Sequence, residues 1–132
     1  MYSEYKVKVL VADDNRLVLA VVCRMLAALG CEATGTHDGL EALSRFEQEE
    51  FDLVLTDLDM PYMDGWGLAR RIKFLEPMMP VIAMTGMHRE EVLEHEGFIF
   101  LDRVLHKPVN LQWLDDAVAA ALEFRQINVA CA

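Results

Sequence analysis

A chain of 132 residues fits one domain, and with 54% hydrophobic residues it has the apolar mass to bury a core. Its 22 acidic against 12 basic residues give a formal net charge of −10, which argues against a nucleic-acid or anionic-membrane partner, because phosphate-rich surfaces need a basic footprint. No apolar run approaches the roughly 18 residues of a membrane span, and the polar opening Met1–Lys6 is no signal peptide. Cys23, Cys31 and Cys131 lack metal-finger spacing and read as reduced thiols of a cytoplasmic protein.

Val7–Ala12 is β-branched and apolar, the pattern of a buried strand. Arg16–Leu29 carries Val18, Val21, Val22, Met25 and Leu29 as a helical stripe, which Gly30 ends. Off that stripe, Leu17, Leu19 and Ala20 are expected to form a surface that packs on a partner helix. Cys31–Thr36 is a weaker strand, and a short helix from Asp38 or Gly39 runs to Glu49 with Leu40, Leu43 and Phe46 inward. Phe51–Thr56 is a third strand and Trp66–Phe74 a third helix, halted before Pro77. Pro80–Met84 is a fourth strand, its proline at the first residue, where no ladder bond is lost. Arg89–Glu96 reads as a helix and Val104–His106 as a short fifth strand. Leu111–Arg125 is a closing amphipathic helix with Leu111, Leu114, Val118, Ala121 and Leu122 on one face. The domain is therefore placed at 1–125, with 126–132 as a frayed tail.

Strands alternating with helices over short connections imply an α/β fold, (βα)5, with a doubly wound parallel sheet. Ligands of such sheets bind outside the carboxyl ends of the strands. Those ends carry Asp13-Asp14, Asp57, Thr85-Gly86 and Lys107-Pro108. Taken singly each has a plain reading: a helix cap, a solvated acid, a turn hydroxyl, an exposed lysine. Together they suit another chemistry. The carboxylates of Asp13, Asp14 and Asp57 are hard oxygen donors for Mg²⁺, while Lys107 and Thr85 suit phosphoryl oxygens. A carboxylate in that company can act as nucleophile on a phosphoryl group, and Gly86 leaves room for it. Without a cation the acids repel one another, so removal of Asp13 is expected to raise metal-free stability. Asp64-Gly65 reads as turn chemistry before a helix, and Met60, Met63 and Met87 as rim residues. The histidines at 37, 88, 95 and 106 lack ligand spacing and are expected at the surface.

The segments "VLVADDN", "LVLTDLDMPYMDG", "VIAMTG" and "LHKP", in this order over residues 6–125, resemble the receiver domain of two-component response regulators. The likeness is to the single-domain, chemotaxis-regulator kind, and the ends of the chain are expected to be those of a complete regulator rather than of a receiver excised from a larger kinase. The resemblance implies a flavodoxin-like five-stranded sheet of order 2-1-3-4-5. It implies that Asp57 accepts a phosphoryl group from a sensor histidine kinase or a histidine phosphotransfer protein. It further implies Mg²⁺ held directly by Asp14, Asp57 and the backbone carbonyl of Asp59, with Asp13 acting through water. Thr85 and Lys107 would hold the acyl phosphate, and the Lys107–Pro108 bond would be cis. Such a domain is no conventional enzyme, but it catalyses its own phosphorylation and dephosphorylation and switches contacts with a downstream protein.

Two features depart from the family pattern. Val104 stands where an aromatic residue often lies, three residues before the lysine. "EHEGFIFLDRVLHKP" also lacks the usual Gly-Ala pair, so the fourth helix is expected to end early, at Gly97. In the pattern a ring fills the space that the threonine vacates on phosphorylation, and Phe98 and Phe100 are the expected substitutes. Two alternatives stand beside this reading. A receiver-like interaction module that is never phosphorylated would usually have lost an acid or the lysine, and none is lost here. A haloacid-dehalogenase-type phosphatase would use Asp57 and Asp59 as its D-x-D pair, but there the acidic pair comes last and a cap insertion is usual.

Overall fold

A computed structural model describes residues 6–131, with side chains as far as Glu123. Five parallel strands, β1 (Lys8–Ala12), β2 (Glu32–Thr36), β3 (Leu53–Asp57), β4 (Val81–Thr85) and β5 (Arg103–His106), form one sheet in the expected order β2-β1-β3-β4-β5. Helices α1 (Arg16–Ala28), α2 (Gly39–Gln48), α3 (Gly65–Leu75), α4 (Arg89–Glu94) and α5 (Leu111–Cys131) connect and cover the strands. β3 and β4 are buried along their whole length, and β1 after Lys8, because both faces of the sheet are covered. α1 and α5 pack on one face through residues such as Val22, Leu26, Leu114 and Val118. α2 and α3 cover the other through Leu43, Phe46, Leu68 and Ile72.

The strand expectations hold to within a residue or two, and the helix faces differ more. α1 turns Leu19, Val22 and Leu26 inward, while Val21 is 44% exposed. Its sequence, RLVLAVVCRMLAA, is apolar on nearly every side, so spacing alone does not set the phase. The cap sets it instead. Asn15 Oδ1 accepts the N–H groups of Leu17 and Val18, and one turn later Leu19 lies against Gly35, where an added Cβ would sit 3.3 Å from its Cδ1. Of the expected docking surface, Leu17 and Ala20 are exposed and Leu19 belongs to the core. On α2 the inward residues are Ala42, Leu43 and Phe46, and Leu40 faces solvent. On α5 Leu111 is likewise exposed, and the helix continues to Cys131 through the expected tail; Ala132 lies outside the described residues. α4 ends at Glu94 and gives way to a 3₁₀ turn at Glu96–Phe100, earlier than expected. No described helix is long and apolar enough to cross a membrane.

The α1 register yields a direct prediction. Leu19→Ala should cost about 2–5 kcal/mol in urea unfolding, as a cavity at a buried leucine does. Leu17→Ala, at 75% exposure, should stay within about 0.5 kcal/mol. The reverse order would restore the stripe through Val21.

Candidate functional site

The strand ends line up because the ladders stay in register to their last residues: Ala12 pairs with Thr56, Asp57 with Met84, and Thr85 with His106. Each chemical group expected there is therefore delivered to one edge of the sheet.

Asp13 follows β1 and is completely buried. Its backbone N–H donates to the Thr36 carbonyl at 3.1 Å, extending the pairing with β2 by one step. Its Oδ1 accepts the Asn15 N–H at 2.9 Å, and its Oδ2 accepts from Lys107 Nζ at 2.8 Å. Asn15 caps α1, so the helix-cap reading of Asp13-Asp14 fails and Asp14 is left exposed at the rim. Asp57 closes β3 and is 7% exposed. Its Oδ2 lies 3.3 Å from Lys107 Nζ, and its Oδ1 faces the Asp59 N–H at 3.5 Å. Oxygens of Asp13, Asp14 and Asp57 lie within 4.8 Å of one another.

Lys107 follows β5, its N–H donating to the Thr85 carbonyl at 2.8 Å, and the Lys107–Pro108 bond is cis, as expected. Thr85 is buried, and its hydroxyl accepts the Met87 N–H at 2.9 Å. Beside it Gly86 faces open space, where even a Cβ would meet nothing. On the far side α3 begins almost in contact with the end of β3. A Cβ on Gly65 would fall 2.7 Å from the Leu58 Cα and closer still to the Asp57 carbonyl oxygen, so only glycine admits this approach. Asp64 Oδ1 accepts the Gly67 N–H at 2.8 Å, which makes Asp64 the cap of α3 and no member of the acidic group. Met60 is buried in the α2–α3 layer, while Met63 and Met87 are half-buried.

Charge decides the chemistry of this edge. Burial pushes the Asp57 carboxyl above its ordinary value; the nearby Lys107 charge opposes this, and Asp13 adds to it. Burial alone would lower Lys107, but its hydrogen bond to Asp13 and the charges of Asp57 and Asp13 outweigh it, and its value is raised. With all groups ionised, three carboxylates against one ammonium leave a charge of −2. A hard divalent cation matches both that deficit and the all-oxygen donor set.

Two other features lie outside the expected site. His37, His88 and His106 are exposed, but His95 is half-buried and stacks on Trp66 with ring centroids 3.8 Å apart and planes within 3°. His95 Nδ1 accepts the Gly97 N–H at 2.9 Å, and a Cβ on Gly97 would press on both rings. Val104 packs with Phe98, Met87 and Trp66 around Ala83, whereas Phe100 joins the α2–α3 layer. Of the two expected substitutes for the missing ring, Phe98 occupies the right neighbourhood.

These charges also reverse the expected effect of removing Asp13. Asp13 provides an acceptor for a backbone N–H and the shorter of the Lys107 contacts, so Asp13→Ala should cost about 1–3 kcal/mol in chelator. Asp57 behaves oppositely. Its raised folded value means that its contribution is fully present below the unfolded value, about pH 3.9, and is lost as pH rises through the folded one. Asp57→Asn should therefore stabilise the metal-free chain at neutral pH, and the advantage should shrink toward about pH 4. Urea titrations in chelator at several pH values measure both effects.

A family model described as response regulator receiver domain matches residues 9–119. The sensor histidine kinase RcsC of Salmonella typhimurium is 32% identical over 115 residues, covering 87% of this chain and 12% of that protein. The transcription factor SKN7 of Chaetomium thermophilum is 34% identical over 110 residues, covering 82% of this chain and 14% of that protein. The chain thus spans only a small part of the length of these curated relatives. Among solved structures, a response regulator receiver domain protein from Clostridium thermocellum aligns with a TM-score of 0.85 at 29% identity, covering 92% of this chain and 98% of that one. The response regulator TrrA of Thermotoga maritima, solved in complex with Mg²⁺-BeF, aligns with a TM-score of 0.82 at 25% identity, covering 88% and 99%. The sheet order, the groups gathered at its edge and these matches agree, and the chain belongs to the response regulator receiver domains of two-component signalling.

Proposed function

We propose that the chain accepts a phosphoryl group on Asp57 in a Mg²⁺-dependent reaction, from a sensor histidine kinase or a histidine phosphotransfer protein, and so switches its protein contacts. The observation that carries this reading is the charge balance at the sheet edge, where three clustered carboxylates share one ammonium. In the step itself an Asp57 carboxylate oxygen attacks phosphorus, the bond to the donor imidazole nitrogen breaks, and that nitrogen keeps the electron pair. Lys107 is charged and within reach of the Asp57 oxygens, so it can receive phosphoryl oxygens as they arrive. The Thr85 hydroxyl, at the end of the neighbouring strand, is the second donor, and the open space at Gly86 admits the group. Asp14, Asp57 and the Asp59 carbonyl would hold Mg²⁺ directly, with Asp13 acting through water while it anchors Lys107. When bound, that ion neutralises charge on the carboxylates and the phosphoryl oxygens.

Beside Lys107 an apolar groove of about 420 Å³ runs between α1 and Pro108, with Leu17 exposed in its wall. It supports docking of the phosphodonor protein next to the acceptor. Relatives that are sensor kinases by name support a kinase as donor. The comparisons favour neither the unphosphorylated module nor the phosphatase.

Incubation with a small phosphodonor and Mg²⁺ should add one phosphoryl group, read by intact mass. Asp57→Asn or chelator should abolish it, and Lys107→Ala should slow it by about a hundredfold, the order found for removing one preorganised charge-stabilising donor. Labelling that persists in Asp57→Asn would refute the assignment.

Switching without an aromatic residue at position 104 falls to Phe98, which packs on the same cluster as Val104 and Met87, the residue whose N–H binds the Thr85 hydroxyl. Beryllofluoride, a mimic of the phosphoryl group, should shift backbone NMR signals at 85–89 and 98–104 as well as at Lys107. Phe98→Ala should remove the 98–104 response and spare the signals at Asp57. A silent 98–104 segment in the parent chain would contradict this relay.

A further inference from the structure

The surface between α3 and the 3₁₀ turn is unlike the rest of this acidic chain. Two adjoining depressions, of about 350 and 430 Å³, share Arg70 and Phe100 in their walls. Phe74, 83% exposed, lines one, and Ile99, 79% exposed, lines the other. Arg70, Arg71 and Lys73 stand in the same walls, a quarter of the 12 basic residues in a chain of net charge −10. Lys73 is partly neutralised, donating to Asp102 Oδ2 at 2.6 Å and to the Met79 carbonyl at 2.7 Å. Among the described residues neither Arg70 nor Arg71 has an ion-pair partner, and Glu96 is the one carboxylate in the walls.

The floor is stiff. The Trp66–His95 stack, locked by the hydrogen bond from Gly97, lies beneath the first depression, so a ligand has little side-chain order to impose. Large apolar side chains in solvent, ringed by unpaired guanidinium groups, are the composition of a recognition surface.

We propose that this groove docks an acidic segment of a partner protein, its aliphatic or aromatic anchors entering the two depressions and its carboxylates meeting Arg70 and Arg71. The site uses none of the residues at the sheet edge. Charge excludes the other occupants. A second copy docked by symmetry would set Arg70 and Arg71 against themselves. An anionic bilayer would repel the net charge of the whole chain, and three cations fall short of the roughly 4–8 of a lipid-binding cluster. A short acidic segment meets mainly the charges within about 8–10 Å, and in the groove walls three cations stand against one carboxylate.

The test uses the full ¹⁵N-labelled chain and a synthetic helical peptide of about 16 residues, with Leu and Phe at i, i+3, i+4 and i+7 and Glu between. Saturable shifts should appear at Arg70–Phe74 and His95–Phe100. Affinity should fall about tenfold or more with Gln in place of Glu, with added salt, and in R70E/R71E. Phe74→Ser, at an exposed position, should weaken binding without altering the melting temperature, and it decides the matter if the double variant folds poorly. Absence of shifts on this face, or equal binding of a peptide with Lys in place of Glu, overturns the proposal. So does binding to phosphatidylserine vesicles without binding to the peptide, which would assign the face to a membrane. Self-association that Phe74→Ser abolishes, again without peptide binding, would assign it to a second copy and overturn the proposal equally.

Discussion

The Lys107 ammonium lies 2.8 Å from Asp13 and 3.3 Å from Asp57, joining residues 94 positions apart and tying the ends of β1, β3 and β5 to one charge. Both carboxylates are almost fully buried, and desolvating a charge costs several kcal/mol unless a partner compensates. One ammonium compensates two acids only in part. The edge is therefore organised but left short of positive charge, with Asp14 adding a third carboxylate from the rim. A fold that retains this deficit is prepared for a cation, and with the cation for an anionic phosphoryl group.

The surrounding elements keep that cluster available. Helix N-termini attract acidic side chains, and an Asp at the start of α1 or α3 could have been consumed in capping. Asn15 and Asp64 take that role, each accepting N–H groups of the first turn. Asp14 takes no part in the cap, and Asp57 is left to meet Lys107. The parallel sheet contributes register, because four strands that finish within two residues of one another present their following residues at one edge. Gly65 lets α3 start against the Asp57 carbonyl, so the loop that holds Asp59 is kept close.

How much of this could be read from the residues depended on whether the signal was local. The three central strands were legible because a strand covered on both faces must be apolar throughout, as in Leu53-Val54-Leu55, while the edge strands β2 and β5 carry a weaker signal. The acids, threonine and lysine were legible because each immediately follows or ends such a run. Helix orientation was less so. α1 carries apolar residues on every side, and the choice of Leu19 and Leu26 over Val21 is made by the sheet and by Asn15, not by spacing. The Trp66–His95 stack joins residues from α3 and the α4 junction, and nothing local in either segment announces it. The Asp13–Lys107 contact was hidden for the same reason: repulsion between acids is visible in a sequence, while a lysine 94 residues away that offsets part of it is not. The charge-bearing edge and the groove on α3 also sit on different sides of this distinction, since Arg70-Arg71 is visible as a pair, while its lack of an acidic partner among the described residues is a fact of the fold.

Crystals of the chain grown with Mn²⁺ and beryllofluoride would test the central claim most directly, because manganese scatters anomalously and stands in for Mg²⁺. One anomalous peak is expected among Asp14, Asp57 and the Asp59 carbonyl, with beryllium on an Asp57 oxygen and its fluorines facing Lys107 and Thr85. A peak elsewhere, or beryllofluoride absent from Asp57 with the acidic cluster intact, would contradict it.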